Sequence, residues 1–393
     1  MIKIRSTLLM LLTIIILSLN FQAGMNAESS GGDTIVWDTD QILTTNYTVE
    51  KETTLIINPG ITIYIDRGIG ITVKGTLKVI GTANNKISFC SIGQYAWSGI
   101  TIMSDKQNKN ATIISYCQIR NASRGICCYS SSPIITNTTI STAYQGIYCA
   151  NSSPVFVNVT VTNSDYGIAC DNSNPVIVNA TISGNKIGIS SYNHSSLAIS
   201  YSIIDSNNNG IFCHDPGYLN ITYSKIYNNS KWGIVAMGTE LTIENNTFGD
   251  DNNLNGEGNI IQQWYLTVLV VDRNNKPIKN VFVTIKDIFG KEFNASTLSY
   301  NNGMYFITLT QYKILNNSTK VIYTPHIIYV EKNGVSNSTI IVMDGNKEVT
   351  VMLNLMLEEN NNYLKPIYIV PIIGTLAVIG ACVILIKRKQ HKK

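Results

Sequence analysis

Two consecutive stretches of the chain are nearly superimposable. Residues 146–166 read GIYCANSSPVFVNVTVTNSDY, and residues 167–187 read GIACDNSNPVIVNATISGNKI. The Gly-Ile dipeptide, the cysteine, the proline and the asparagine after the β-branched run occupy the same places in both. A fixed period of about this length predicts a solenoid, in which each repeat is one stacked unit.

The Gly-Ile dipeptide marks the extent of the repeat. Successive copies lie 21, 21, 21, 22 and 23 residues apart, and WSGITI supplies a copy 26 residues upstream. The glycines are Gly99, Gly125, Gly146, Gly167, Gly188, Gly210 and Gly233. Each unit holds short β-branched runs divided by Pro, Asn, Ser and Gly, without helical periodicity. The chain has neither the leucine lattice of leucine-rich repeats nor the six-residue sub-period of left-handed β-helices. We therefore predict an all-β fold in which residues 34–250 form a right-handed parallel β-helix.

A column of small side chains follows from the alternation of a strand. The residue after each glycine is isoleucine, so this position and the one two residues later should face inward. The second position holds Cys128, Cys149, Cys170, Ser191 and Cys213. Packed thiols, disulfides and a soft-metal site are three interpretations of this column. Packing is favoured, because free cysteine behaves as a small hydrophobic residue and neighbouring coils hold the Cβ atoms too far apart for unstrained disulfides.

Aromatic residues occupy the alternate strand positions, two and four residues after the repeat glycines, which should face outward. They are Tyr129, Tyr148, Tyr192, Phe212 and His214. Aromatic rings on a flat, uncharged surface suit stacking against sugar rings. The alternative is an aromatic stack that only stabilises the outer sheet.

Three asparagines recur once per coil, each in an Asn-x-Ser/Thr triplet: Asn137, Asn158 and Asn179. Apolar residues stand two positions earlier in every coil, so alternation predicts that these asparagines face inward and form a hydrogen-bonded ladder. A glycan would not fit inside a coil, so we expect the three to be unmodified. Triplets in loops, such as those of Asn193 and Asn316, are candidates for glycosylation. The alternative is a surface asparagine at a turn.

The first coils resemble a known family. Residues 58–102 read NPGITIYIDRGIGITVKGTLKVIGTANNKISFCSIGQYAWSGITI. This stretch resembles the entry coils of right-handed parallel β-helix repeat proteins of the pectate-lyase-like fold, and the later units resemble their GI…P-x-I-x-N repeats. The resemblance covers about residues 40–250 and implies the fold. The family contains pectin-type enzymes, carbohydrate-binding surface proteins and copper-site accessory proteins, so it implies no single function.

A second β domain should follow the solenoid. Residues 251–264 are predicted as a linker, and residues 265–355 contain about seven short alternating strands, which is typical of a β-sandwich. The opening, VVDRNNKPIKNVFVTIKD, resembles carboxypeptidase-regulatory-like sandwich modules, although Asn275 stands where that family often has glycine. Such modules usually serve as spacers or adhesion units.

Both ends of the chain carry membrane-length signals. Residues 1–27 have the basic start, apolar run and small residues of a signal peptide. Residues 366–386 are long and apolar enough to span a bilayer, after a stalk at 356–365, and the basic tail 387–393 follows at once. We expect a single-pass cell-membrane protein with an extracellular body and a cytoplasmic C-terminus.

Composition narrows the function. The formal net charge is +4 and charged residues make up 14% of the chain, which argues against a nucleic-acid partner. Carboxylates are scattered singly along the coils, so we assign no catalytic residue, no cofactor and no metal ligand. The favoured function is binding, adhesion or a structural role in the cell envelope, with carbohydrate as the expected ligand. The alternative is a polysaccharide lyase or glycoside hydrolase. A third interpretation is a copper-site accessory protein of the type that matures nitrous oxide reductase.

Overall fold

Three parallel sheets run along a β-solenoid. The computed structural model describes residues 32–103, 112–142, 144–214, 217, 219–237, 241–248, 254–256, 260–299, 302–315 and 319–355. In chain order, the solenoid strands are β1 Thr34–Trp37, β2 Gln41–Leu43, β3 Tyr47–Val49, β4 Thr54–Ile57, β5 Thr62–Ile65, β6 Gly70–Val73, β7 Thr76–Ile80, β8 Ile87–Ser91, β9 Gly99–Ile102, β10 Ile113–Ser115, β11 Cys117–Arg120, β12 Arg124–Tyr129, β13 Ile134–Thr136, β14 Thr139–Ser141, β15 Gln145–Ala150, β16 Val155–Val157, β17 Thr160–Thr162, β18 Tyr166–Asp171, β19 Val176–Val178, β20 Thr181–Ser183, β21 Ile187–Tyr192, β22 Leu197–Ser200, β23 Ile203–Asp205, β24 Asn209–His214, β25 Leu219–Thr222, β26 Lys225–Tyr227, β27 Trp232–Met237, β28 Leu241–Glu244, β29 Thr247–Phe248 and β30 Leu254–Gly256.

Every third strand belongs to the same sheet. Sheet A begins β1-β4-β7 and continues to β28, sheet B runs from β2 to β29, and sheet C runs from β3 to β30. Equivalent residues of neighbouring coils lie in register, as in the pairs Ile147↔Ile168 and Phe156↔Ile177. Each inward column is therefore built from one repeat position, and the interior is filled mainly by isoleucine and valine. Within the described ranges, no residue is helical.

The Gly-Ile glycines allow neighbouring coils to approach closely in sheet C. A Cβ atom at Gly188 would lie 2.5 Å from the carbonyl oxygen of Gly210 and 3.0 Å from Nδ2 of Asn207. Both atoms belong to packed structure, so neither can move freely away. The recurrence of glycine at this position has a steric cause.

We expect Gly188→Ala to lower the free energy of unfolding by about 1–3 kcal/mol, because the added methyl overpacks the contact between two coils. Urea denaturation of the full-length variant measures the loss. Gly93→Ala is the matched control, since nothing lies within 4 Å of the Cβ position there. Equal stability of the two variants would contradict the steric explanation.

The asparagines of the turn between sheets A and B face outward, contrary to the sequence prediction. Asn158 and Asn179 are exposed, and Asn137 is half-buried. All three have φ between 50° and 55°, in the left-handed region that asparagine tolerates better than most residues. This single-residue turn interrupts the alternation on which the prediction depended. Nδ2 of Asn158 still donates to Oδ1 of Asn137 at 2.6 Å, but this contact is on the surface, so burial gives no reason for these sites to stay unglycosylated.

A buried asparagine ladder lies instead at the turn between sheets B and C. It consists of Asn185, Asn207 and Asn229, which are at most 5% exposed. Oδ1 of Asn207 accepts from the backbone N–H of Asn185 at 2.9 Å, and Oδ1 of Asn229 accepts from that of Asn207 at 3.0 Å. Their Nδ2 groups donate to backbone carbonyls of the previous coil. The ladder supplies partners for buried turn amides that would otherwise be unsatisfied.

The remaining strands form the C-terminal β module, which we define as β31–β38. These strands are β31 Ile260–Val271, β32 Phe282–Lys286, β33 Glu292–Leu298, β34 Met304–Ile314, β35 Lys320–Ile322, β36 His326–Lys332, β37 Val335–Ile341 and β38 Lys347–Met352. The first residues of β31 pair with β28 and extend sheet A, β34 pairs along β31 from Ile260 to Leu269, and β38 pairs with its later residues. Strands β33, β32, β36 and β37 form a second, antiparallel sheet. Strand β31 thus continues through the predicted boundary at residue 265, and the β-sandwich stays a prediction.

The predicted membrane signals lie outside this description. Residues 1–27, 356–365, 366–386 and 387–393 are all beyond the described ranges. In the part of the chain that the structure covers, there is no helix with the length and hydropathy of a membrane span.

Candidate functional site: a tyrosine pocket on sheet C

A shallow pocket opens on the outer face of sheet C. Its volume is about 350 Å³, and it crosses strands β15, β18 and β21. We call it the tyrosine pocket, and its lining residues are Tyr144, Gln145, Tyr148, Tyr166, Ala169, Cys170, Asp171, Ser190, Tyr192 and Asn193. Four of these ten residues are tyrosines, and one, Asp171, carries a formal charge at neutral pH.

The pocket exists because one outward column changes side-chain size between coils. From β12 to β27 this column reads Cys127, Tyr148, Ala169, Ser190, Phe212 and Val235, each in register with the next. Two small residues therefore lie between two aromatic ones. Ala169 and Ser190 form a floor about two strands wide, with the ring of Tyr148 at one side. Phe212, at the other side, does not line the pocket and packs against the ring of Tyr192, which does.

The tyrosine rings hold one another in place. Tyr129 meets Tyr148 edge-on with ring centroids 5.7 Å apart, and Tyr144 meets Tyr166 edge-on at 5.8 Å. Tyr192 and Phe212 form a tilted pair at 6.3 Å. Edge-on and tilted contacts of this length are favourable between aromatic rings. These contacts support the pocket walls before any ligand arrives.

Arg124 stands beside the pocket without lining it. Its guanidinium carbon lies 5.8 Å from the ring centroid of Tyr144 and 5.8 Å from that of Tyr148. These distances are within the range of cation–π attraction. The positive charge of Arg124 therefore lies beside the rings of Tyr144 and Tyr148 and outside the pocket lining.

Partial burial changes the chemistry of the wall hydroxyls. Burial raises the pKa of Tyr148, and the carboxylate of Asp171 raises it further. Burial is also the main cause that raises the pKa of Tyr192, with a contribution from Tyr166. Both hydroxyls consequently stay protonated at neutral pH, where they can donate hydrogen bonds but are poor general bases.

Polar groups occupy the side of the pocket at the carboxyl ends of the strands. Oδ1 of Asp171 accepts a hydrogen bond from Nδ2 of Asn193 at 2.7 Å, which fixes both side chains. On the opposite side, Gln145 is 8% exposed, and its Oε1 has no hydrogen-bond partner among the described residues. A buried acceptor without a partner is costly, and a bound donor would relieve that cost.

The structure separates the predicted aromatic residues into two groups. Tyr148 and Tyr192 line the pocket, while Tyr129 and Phe212 support their rings from behind. His214 is exposed at the end of β24 and does not line the pocket. Asp171 and His214 are separated by β21 in sheet C.

Two of the tyrosines that line the pocket were not predicted from the sequence. Tyr144 precedes the Gly-Ile glycine of its coil by two residues, and Tyr166 precedes that of the next coil by one. The in–out alternation was applied only to residues after each glycine, so Tyr144, which comes before its glycine, was not considered. If the alternation is extended to residues before the glycine, it predicts that Tyr166 faces inward. The ring of Tyr166 is half-buried at the pocket edge, so alternation does not hold across the glycine. The signal that could have found both is the spacing of tyrosines around the repeat.

The cysteine column lies beneath the pocket, inside the solenoid. Cys128, Cys149 and Cys170 lie in register, and all are fully buried. Cys213 continues the column beyond Ser191 and is also buried. All four are free cysteines, and hydrogen bonds from Cys128 and Cys170 together with burial raise the pKa of Cys149. Metal ligation requires thiolates, which this environment disfavours.

Comparison with known proteins agrees with the architecture. A family model described as "Right handed beta helix region" matches residues 24–172 and 104–248. The chain belongs to the right-handed β-helix family. No curated protein matches the chain.

Solved structures show a distant likeness. A periplasmic alginate epimerase is 14% identical over 59% of this chain and 67% of its own, with a TM-score of 0.34. An alginate lyase from Paenibacillus is 13% identical over 55% of this chain and 91% of its own, with a TM-score of 0.33. A protein of Geobacillus virus E2 is 10% identical over 80% of this chain and 72% of its own, with a TM-score of 0.29. Identities this low concern the fold alone.

Proposed function

We propose that this right-handed β-helix protein binds carbohydrate in the tyrosine pocket of sheet C. The observation that carries the proposal is the floor of two small residues, Ala169 and Ser190, enclosed by aromatic walls and hydrogen-bonding side chains. Sugar rings have apolar C–H faces that stack on aromatic rings, and their hydroxyls both donate and accept hydrogen bonds. Tyrosine, asparagine and aspartate together meet these requirements.

If the aromatic residues only stabilised the outer sheet, fewer features of the pocket would be explained than by carbohydrate binding. Stabilisation of the sheet explains the three ring pairs, since each pair stabilises neighbouring coils. It does not explain why the column between Tyr148 and Phe212 is interrupted by alanine and serine, because filling those positions would bury more surface. The pocket of about 350 Å³ lies between the aromatic side chains at this interruption, above Ala169 and Ser190, which are at most 4% exposed.

The chemistry of the pocket favours binding over catalysis. Glycoside hydrolysis ordinarily uses two carboxylates, and Asp171 is the carboxylate that lines this pocket. The protonated tyrosines are weak general bases for elimination at neutral pH. A copper-accessory role needs clustered soft ligands, and no group of three His, Cys, Asp or Glu side chains suited to a metal occurs in the ranges described above.

Display at the cell surface is part of the same proposal. It rests on the predicted signal peptide at residues 1–27, the apolar segment 366–386 and the basic tail that follows. The module predicted as a β-sandwich then separates the solenoid from the membrane. A sugar-binding face presented in this way would serve adhesion or a structural contact in the cell envelope.

We expect Tyr192→Ala to weaken binding of the best glycan about tenfold, because one stacking wall is lost. A glycan array with the full-length protein in detergent identifies that ligand, and titration calorimetry measures the change. Tyr64→Ala is the matched control, since Tyr64 is an exposed tyrosine on sheet B. Thermal melts of both variants establish that they are folded.

Three results would contradict the proposal. They are an array without any bound glycan, equal losses of affinity in the two variants, and release of shortened or unsaturated products from the bound glycan. The last would favour the polysaccharide-cleaving alternative.

A further inference from the structure

Aromatic rings stand at both ends of the tyrosine pocket along the solenoid axis: Tyr148 lines one end, and Tyr192, which packs against Phe212, lines the other. Tyr148 on β15 and Phe212 on β24 belong to one column and are three strands apart, about 14 Å at the usual strand spacing. The floor between them is two strands wide. A ligand lying along the axis therefore meets an aromatic ring in both directions.

The two remaining sides are also occupied. The edge-on pair Tyr144–Tyr166 stands at the side where the strands begin. The hydrogen-bonded pair Asp171–Asn193 stands where they end. A volume of about 350 Å³ is near the lower limit of the range usual for ligand pockets, about 300–1,000 Å³. The space suits one sugar ring and offers no trough for a chain.

The charge inside the pocket disfavours an acidic ligand. Asp171 places a carboxylate in the wall, and the nearest guanidinium, that of Arg124, lies outside against the rings of Tyr144 and Tyr148. A uronic acid would bring a second carboxylate next to Asp171, and like charges at short distance repel. Sugar hydroxyls can instead donate to Asp171 and to the unpartnered Oε1 of Gln145, and accept from tyrosine hydroxyls.

We propose that the pocket recognises a single uncharged sugar unit at the end of a glycan, and excludes both uronic acids and the interior of a polysaccharide. This inference rests on the proposed carbohydrate-binding function. It adds the size, the charge and the position of the unit that is bound.

Titration of the full-length protein with methyl glycosides of neutral hexoses, with the matching methyl uronates and with neutral oligosaccharides of two to six units tests the inference. We expect neutral monosaccharides to bind within about threefold of the oligosaccharides, and uronates to bind at least tenfold more weakly. Affinity that rises tenfold or more with oligosaccharide length, or uronates that bind as well as neutral sugars, would overturn it and leave the proposed function standing. Failure of every sugar to bind would overturn both.

Two variants give independent readouts. Ala169→Leu fills the floor and should abolish monosaccharide binding, whereas Ala198→Leu, on the outer face of sheet A, is the matched control. Asp171→Asn removes the repelling charge and should reduce the preference for neutral sugars over uronates at least fivefold. An unaltered preference in Asp171→Asn, or binding that survives Ala169→Leu, would contradict the assignment.

Discussion

Replacing Trp97 by alanine should lower the free energy of unfolding by about 3–5 kcal/mol. The indole is fully buried among the first coils, and its ring stacks on Phe89 with centroids 6.2 Å apart. Its Nε1 donates to the carbonyl oxygen of Arg120 at 2.9 Å. Truncation therefore leaves a large cavity and a buried carbonyl without its partner, and these two losses act in the same direction.

Urea denaturation of the full-length protein measures this effect. Tyr95→Ala is the control two residues away, because Tyr95 is 63% exposed and its visible contact is a cation–π interaction with Arg67 at 4.4 Å. We expect that variant to lose no more than about 1 kcal/mol. A loss under about 1.5 kcal/mol for Trp97→Ala would mean that the first coils tolerate the cavity and do not depend on this residue.

Acidification from pH 7 to pH 4 should destabilise the C-terminal β module by about 3 kcal/mol through His326 alone. The imidazole is fully buried, with its ring 5.9 Å from that of Phe293, and neither of its nitrogens has a hydrogen-bond partner among the described residues. Burial lowers its pKa to about 4, against a smaller opposing effect of Asp287. In the unfolded chain its pKa is about 6.5.

The sign of the effect follows from these two pKa values. Above about pH 6.5 the histidine is neutral in both states, and the folded state keeps its full stability. Between about pH 6.5 and 4 the unfolded chain binds a proton that the folded module does not, so stability falls as the pH is lowered. The carboxylate of Asp287 does not prevent this, because its opposing effect on the pKa of His326 is smaller than that of burial.

Thermal melts at a series of pH values measure this dependence. The variant His326→Leu should lack the loss of stability that develops between pH 6.5 and 4. The variant His194→Gln, which changes an exposed histidine, should still show that loss. Identical pH profiles for the wild-type protein and His326→Leu would show that His326 does not titrate differently in the two states.

Periodicity predicted the parts of the structure that repeat. The 21-residue spacing predicted that equivalent residues stack, and Cys149 does lie in register with Cys170. Alternation after the glycine placed Tyr148 and Tyr192 on the outer face, where both line the pocket. These inferences needed only the spacing of residues within extended strands.

The in–out alternation gave wrong side-chain directions wherever the backbone leaves the extended conformation. Asn158 adopts a φ of 55°, so its side chain points out of the coil although alternation turned it inward. Tyr166 lies on the other side of a glycine at which the alternation breaks. The buried ladder of Asn185, Asn207 and Asn229 was not predicted for a related reason. These residues lie in a turn, where the two-residue alternation of a strand does not determine whether a side chain faces inward or outward.

The sequence by itself determined that this protein is a solenoid, because in a repeat of nearly constant length each residue has its counterpart in the next coil as a neighbour, and favourable contacts recur in each coil. Only the tertiary structure decided where a ligand could bind. The pocket arises from differences between repeats: Ala169 and Ser190 lie between Tyr148 and Phe212 in one outward column, while the side walls come from Tyr144 and Tyr166 at one end of the strands and Asp171 at the other. Tyr148, Ala169 and Ser190 occupy one repeat position, but the type of residue there differs from coil to coil. The side walls come from other positions, and their proximity depends on the coil that brings them to one face.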